Sequence, residues 1–417
     1  MSLSLSDRLA QYANLIAAVR HDSAASAPPP ELDTDLEGLQ RHEHSGGLLY
    51  CKTSERPLDE PFGEFAIDWD VSLPAPSLLP RFLADARETL PESWAFIDCE
   101  TTGLSGGAGT MAFLIAVGRI VAGQFVIRQF FLPEPADEQA LLNVVREALD
   151  GVRVLWTYNG KCFDIPLLES RFRFWRMDFS RDDFGHVDLL VPTRVLFRRR
   201  VEDCSLATVE ERILKIARIE DLPGAEVPAV YFEYLRTGRS PRLHRVFEHN
   251  RVDVLSLAVY AAYLLNVFHP GRPERLRYPE DVLSLARYHV RHREWEPARQ
   301  CLEDAERFAL GPELEVEYHR LSAYLHKRRS DFERALPHLR ALAEHLQADS
   351  IGALEDLAKY YEHRRREPGE ALRLVDRAIA LADRALMFGT IAAEPRLAGL
   401  YHRRARLRRK LLPKRTG

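Results

Sequence analysis

The chain has 417 residues, 46% of them apolar and 29% charged, with 62 acidic and 58 basic side chains for a net charge of −4. That length suits two or three domains, each able to bury its own core without disulfide or metal staples. The near balance of charge excludes a uniformly basic nucleic-acid coat but not an enzyme with a local basic patch.

The first 22 residues, MSLSLSDRLAQYANLIAAVRHD, include Asp7, lack a basic leading region and show no clear cleavage site, so they do not read as a secretory signal. Residues 1–20 read as a short amphipathic helix, and 21–35 (HDSAASAPPPELDTD) as a flexible linker. From 40 to 90 the pattern is mixed: a Gly-Gly pair, several prolines, short apolar runs and a helical stretch at 79–89. Strands are then expected at 94–98, 111–120 and 124–132, the last two joined by a turn at Ala122-Gly123. A helix at 137–149, a strand at 152–158, a helix at 165–175 and helices at 206–216 and 243–268 complete an α/β pattern with a mixed sheet. The apolar runs at 111–123 and 255–268 are too short or too interrupted to span a bilayer, so no membrane association is expected. The five cysteines, Cys51, Cys99, Cys162, Cys204 and Cys301, are scattered without a C-x-x-C pair, as expected of free thiols in a reducing cytoplasm.

Beyond 270 the pattern is entirely helical, and it repeats. Ala286, Ala298, Leu302 and Ala305 superimpose on Ala323, Ala335, Leu339 and Leu342 with a constant offset of 37 residues. Ala358, Ala371 and Ala378 mark a looser third copy. Small residues at fixed places in helix pairs resemble the tetratricopeptide repeat, in which they let paired helices approach closely. The last helix carries eight basic residues and no acid between Arg403 and Arg415, a surface for nucleic acid, a partner or a cap on the repeats. The expected organisation is therefore 1–39 as a helix and linker, 40–270 as an α/β domain and 271–417 as a helical repeat domain.

Three short segments carry chemistry. In Asp98-Cys99-Glu100-Thr101-Thr102-Gly103-Leu104, two acids stand two apart at the end of an apolar strand. Residues i and i+2 of a strand share a face, so both carboxylates can meet one cation, and unligated acids there are costly. In Asn159-Gly160-Lys161-Cys162-Phe163-Asp164, the acid stands between a strand and a helix, where a plain N-cap is the simpler reading. In His249-Asn250-Arg251-Val252-Asp253, a spacing of four places His249 and Asp253 one turn apart on a helix that soon becomes very apolar. Other candidates are weaker. The run Gly106-Gly107-Ala108-Gly109 lacks the G-K-[ST] of a phosphate-binding loop. His42, His44 and Cys51 offer only three loosely spaced zinc ligands. Arg171, Arg173 and Arg176, and the run 198–200, could follow a phosphate backbone or could be solvated helix faces.

The set D-x-E-T-T-G-L, N-x-x-x-F-D and H-N-x-x-D, in that order, resembles the three motifs of the DEDD (DnaQ-like) 3′→5′ exonucleases, which have a ribonuclease-H-like fold. Gly185-His186-Val187-Asp188-Leu189-Leu190, Cys204-Ser205-Leu206 with Glu210, and Leu222-Pro223-Gly224 with Val227-Pro228 and Tyr231 narrow the match. They resemble the YprB-like branch, typified by mitomycin repair factor B, over residues 40–270. The resemblance implies phosphodiester hydrolysis with two Mg²⁺ or Mn²⁺ ions held by Asp98, Glu100, Asp164 and Asp253, with His249 as general base. It also implies terminal-nucleotide contacts from Thr101, Thr102 and Leu104; Asn159 and Lys161 could reach a phosphate, with a solvated loop position the alternative for Lys161. Asp188 would serve a structural hydrogen bond. DNA with a 3′ end as substrate, a role in repair, a helicase partner and protein contacts through the repeats rest on the same resemblance. One departure is visible: His249 stands four positions before Asp253, the spacing of the subclass that uses Tyr, and Glu248 occupies the position five before. The alternatives left open are an exoribonuclease trimming RNA 3′ ends and a non-catalytic repeat adaptor.

Overall fold

The computed structural model describes residues 36–67, 79–86, 89–103, 109–218, 221–268, 276–345, 350–387 and 394–412. The expected helix at 1–20, the linker at 21–35 and Leu104 lie outside them. The chain divides into two compact units, one formed by 1–194 with 201–275 and the other by 195–200 with 276–417.

The first unit is built on a seven-stranded mixed sheet. Its strands are β1 (Leu39–His44), β2 (Gly47–Pro57), β3 (Trp94–Thr101), β4 (Ala112–Val121), β5 (Gln124–Phe131), β6 (Val154–Thr157) and β7 (Gly185–Asp188), in the order β1-β2-β5-β4-β3-β6-β7. β3 pairs antiparallel with β4 and parallel with β6, so it is the strand where antiparallel and parallel halves meet. The hard-to-read segment after residue 40 is a hairpin, β1 and β2, whose second strand extends the sheet beyond β5. The helix expected at 79–89 is instead a short 3₁₀ segment, Arg81–Ala86, interrupted at Leu83. The backbone leaves the helical region at Leu83 (φ −111°, ψ 15°), although Leu79, Leu83 and Ala86 are buried.

Helices cover both faces. Ile97, Phe113, Ile115 and Phe131 belong to a core shared with the helices α1 (Glu138–Ala148), α2 (Asp164–Phe174) and, further on, Val227–Thr237. Phe113 stacks on Tyr231 of that last helix with ring centroids 4.1 Å apart. The helix expected at 206–216 breaks into one α-turn, Leu206–Val209, and a wider π-turn, Glu210–Leu214, which ends where Lys215 adopts a left-handed conformation at φ 58°. The helix Leu243–Phe268 is 26 residues long and, by length and composition, apolar enough to cross a membrane. In this fold its side chains from Val254 to Leu265 are buried, and it packs against β3, β4 and β5.

One glycine sets how closely that helix approaches. A Cβ on Gly118 of β4 would lie 2.6 Å from Cγ1 of Val254 and 2.5 Å from the ring of Phe125. Val254 is the neighbour of Asp253, so this contact also fixes the depth of that acid. Gly118→Ala should overpack the contact and lower stability by about 1–3 kcal/mol, read as a lower denaturant midpoint with an unchanged slope.

The second unit is all-helical apart from its connections. The helices Pro279–Arg291 and Trp295–Ala305, Pro312–Arg328 and Phe332–Glu344, and Ser350–Tyr360 and Pro368–Met387 pack as consecutive pairs, followed by Glu394–Leu411. The repeated small residues Ala286, Ala298, Ala305, Ala323, Ala335, Ala358, Ala371 and Ala378 are all buried. The basic last helix is less free than its sequence suggests. Arg403, Arg406 and Lys410 all pair with the buried carboxylate of Glu362, each within 2.7–3.0 Å, and Arg404 pairs with Asp376. Arg408 and Arg409 remain exposed. Burial pushes the Glu362 pKa up, but the bonds from Arg406 and Lys410 outweigh it and hold the group at about 2. A lowered folded-state pKa stabilises above the ordinary carboxylate value, and that gain disappears as pH falls towards 2. Glu362→Gln should therefore lower stability at neutral pH by about 1–3 kcal/mol in chemical denaturation. The gap between variant and parent should shrink as the pH is taken from about 4.5 to 2.

Candidate active site

The three motifs meet at the end of β3. Asp98 and Glu100 alternate with Cys99, whose side chain packs with Ile97 and Ala95 on the other face. A register irregularity between Glu100 and Thr101 shifts the pairing with β4 just past the two acids, where Thr101 pairs with Ala112. Asp164 is the first residue of α2, and the residue at the capping position is Phe163, which makes no side-chain cap. The plain N-cap reading of Asp164 is thereby replaced. Its carboxyl lies close enough to Cys99 for that residue to oppose the rise that burial causes in its pKa. Asp253 and His249 come from Leu243–Phe268.

The loop into α2 is fixed by Asp188. This buried carboxylate at the end of β7 accepts hydrogen bonds from the amides of Asn159 (2.8 Å), Lys161 (3.1 Å) and Leu190 (3.1 Å). Asn159 sits at φ 63°, a conformation asparagine tolerates. Gly160 is required beside it, because a Cβ there would lie 2.4 Å from the Thr157 hydroxyl. Lys161, Cys162 and Phe163 are exposed at the turn. On the β3 side, Thr101 donates to the carbonyl of Gly103 (2.9 Å), and the Thr102 hydroxyl accepts from the amide of Met111 (3.1 Å). The second of these bonds ties Thr102 to Met111.

The acids are partly buried and crowd one another. Burial raises the pKa of Asp98 well above its usual range, and the charges of Asp253, Glu100 and Asp164 raise it further. Burial takes Glu100 up to about 8, with His249 pulling down and Asp253 and Asp164 pushing up. Burial likewise takes Asp164 to about 7. His249 is raised: burial alone would lower it, but Asp253, Glu100 and Asp221 outweigh that effect. Its Nε2 lies 3.8 Å from both Glu100 Oε1 and Asp253 Oδ2.

Two supporting groups were not assigned from the sequence. Asn250 is fully buried, donates to Asp98 Oδ2 (2.8 Å) and accepts from Gln129 Nε2 (3.1 Å). It stands inside H-N-x-x-D, so its place in the motif was the available signal. Arg218 pairs with Asp253, Glu210 and Asp221 and belongs to no recognisable pattern. Conversely, two of the arginine clusters are partly structural. Arg171 is buried in an ion pair with Glu138, while Arg199 and Arg200 pair with Glu317 and Asp281. Arg173, Arg176 and Arg198 remain exposed. His44 pairs with Glu147 rather than joining a zinc site.

The donor set suits a hard divalent cation: carboxylate oxygens only, partly desolvated, repelling one another. Among the described residues no three such side chains already converge on one point, and Asp253 is engaged by Arg218.

The RNase_H superfamily model matches residues 95–264, the span that contains all three motifs. YprB of Bacillus subtilis (strain 168), named as an uncharacterized protein, is 33% identical over 322 residues, covering 76% of this chain and 74% of that protein. The chain belongs to the YprB family of the ribonuclease H superfamily. That membership supports a nuclease, a hydrolase of phosphodiester bonds, whose superfamily generally works with divalent metal ions.

The crowded acids have a thermodynamic signature. A carboxyl whose pKa is raised on folding binds more protons folded than unfolded, so stability falls as pH rises from about 4.5 towards 8. Glu100→Gln removes one such charge. In chelator-treated protein its melting temperature should exceed that of the parent by several degrees at pH 8, with little difference at pH 5.

Proposed function

We propose that this chain is a divalent-cation-dependent 3′→5′ exonuclease that acts on DNA ends in repair. The observation that carries this reading is that Asp98, Glu100, Asp164 and Asp253 come together near the end of β3, with burial raising the pKa of Asp98, Glu100 and Asp164. Asp98, Glu100 and Asp253 would hold one ion, and Asp98 with Asp164 a second. Two Mg²⁺ or Mn²⁺ ions so bound supply activation of the attacking water and charge neutralisation at the leaving oxygen.

The rest of the work falls to the chain itself. Asn250 keeps the Asp98 carboxylate from rotating, because its amide donates to Oδ2 while Gln129 fixes the amide. His249 presents Nε2 to the carboxylates, where it can accept the proton of the attacking water. The exposed Lys161 stands three residues before Asp164 and suits a contact with the phosphate. Thr101 and Thr102 flank the acids and suit the terminal nucleotide, to which the resemblance also assigns Leu104, while Asn159 suits the phosphate. DNA is preferred over RNA in this reading on the family resemblance, as are repair and protein contacts, a helicase among them, through the helical unit.

The test uses end-labelled single- and double-stranded DNA and RNA with Mn²⁺ or Mg²⁺, with Asp98→Ala alongside. Release of mononucleotides from DNA 3′ ends, reduced to background in the variant, is expected. Release from RNA alone would make the protein an exoribonuclease. Binding with no cleavage by the parent protein would overturn the enzymatic reading in favour of an adaptor.

A further inference from the structure

The spacing that sets His249 four residues before Asp253 raises the question of what aims its ring. We infer that Asp221, anchored by Arg218 and through it by Glu210, is a positioning residue that fixes the tautomer and orientation of His249. This inference rests on the nuclease reading for its catalytic meaning, but not for its geometry.

His249 Nδ1 lies 2.7 Å from Asp221 Oδ1. An ionised carboxylate only accepts hydrogen bonds, so a contact of that length requires the proton on Nδ1. Asp221 is ionised: partial burial opposes this, but the bond from His249 and the charges of His249 and Arg218 bring its pKa below the usual value. Arg218 Nη1 also lies 3.1 Å from His249 Nδ1, yet it cannot be the donor to a nitrogen that already carries hydrogen. Its partner on this side is Asp221 Oδ2, at 3.0 Å. With Nδ1 committed to Asp221, the lone pair of a neutral ring is on Nε2, the nitrogen that faces Glu100 and Asp253.

The support continues outwards. Arg218 binds both oxygens of Glu210, a buried carboxylate, and also reaches Asp253. Glu210 begins the π-turn, and its carbonyl accepts from the amide of Ile216 at 2.8 Å. The wide turn therefore brings the chain back so that Arg218 overlies Glu210. Asp221 accepts from the amide of Leu222 at 2.9 Å through the same oxygen that meets His249, which restrains its own rotation. One guanidinium thus joins the turn, the histidine's partner and the last acid of the third motif. A histidine with no such partner usually carries its neutral-form proton on Nε2, the arrangement that would leave no base facing the acids.

The test uses the full chain. Long-range ¹H–¹⁵N spectra of chelator-treated, histidine-labelled protein are recorded at a pH where the ring is neutral, with His249 assigned by its loss in His249→Gln. The parent should show His249 protonated on Nδ1, and Asp221→Ala should move that proton to Nε2. Asp221→Glu, which keeps the acceptor, should restore the parental tautomer at least in part. In cleavage assays Asp221→Ala should lower kcat by about tenfold to a hundredfold with little change in KM. An unchanged tautomer in a folded Asp221→Ala protein would overturn the inference, as would a parent whose His249 proton is already on Nε2. If the parent cleaves nothing, the nuclease reading fails while the tautomer measurement still decides the positioning role.

Discussion

Four carboxylates held close together at the end of one strand are the constraint around which the first unit is arranged. Each would be more stable alone and hydrated. Burial pushes the protonation of Asp98, Glu100 and Asp164 upwards, and neighbouring acids push that of Asp98 and Glu100 further, so keeping these groups ionised in the folded chain is costly. Such a cluster persists only where the surrounding fold leaves the side chains no easy escape. Here β3 fixes two of the acids, the first residue of α2 fixes the third, and the helix pressed against Gly118 fixes the fourth.

The groups next to the acids explain how this arrangement is tolerated. Asn250 gives Asp98 a donor that does not cancel its charge. Arg218 gives Asp253 a full counter-charge from a loop that the motifs do not include. Asp188 acts at a distance by gathering the amides of Asn159, Lys161 and Leu190, which shapes the turn leading into Asp164. Removing such groups would not delete a ligand. It would change how well the ligands are aimed, and aim is what electrostatic catalysis depends on.

Arginine usage in this protein has a similar lesson. In the sequence, clustered arginines and the basic last helix suggest a surface for phosphates. In the structure, Arg171 is committed to Glu138, Arg199 and Arg200 to partners in the second unit, and three cations of the last helix to Glu362. The planar guanidinium holds carboxylates in two-point contacts that lysine cannot form. Among the described residues of these clusters, Arg173, Arg176, Arg198, Arg408 and Arg409 are exposed and outside these ion pairs. A count of positive residues therefore overstates the charge available to a ligand.

Much of this was legible in the chain alone. Period-two and helical apolar patterns located β3, β4, β5, α1, α2 and the long buried helix, because those elements bury one consistent face. The motifs named the four acids because their chemistry requires fixed residue types at strand and helix ends. Irregular elements were less legible: the β1–β2 hairpin has a mixed pattern, while the 3₁₀ segment near Arg81 and the π-turn at Glu210 read as plain helices because apolar periodicity does not distinguish those turns from an α-helix. Nor could the sequence show that Asp221 reaches His249 and Arg218 reaches Asp253. Those contacts join residues 28 to 35 positions apart through a loop without a pattern, and ion pairs leave no periodic signature. The sequence by itself determined which side chains could do the chemistry. Only the tertiary structure decided which others hold them in place, because that depends on distances the chain acquires when it folds.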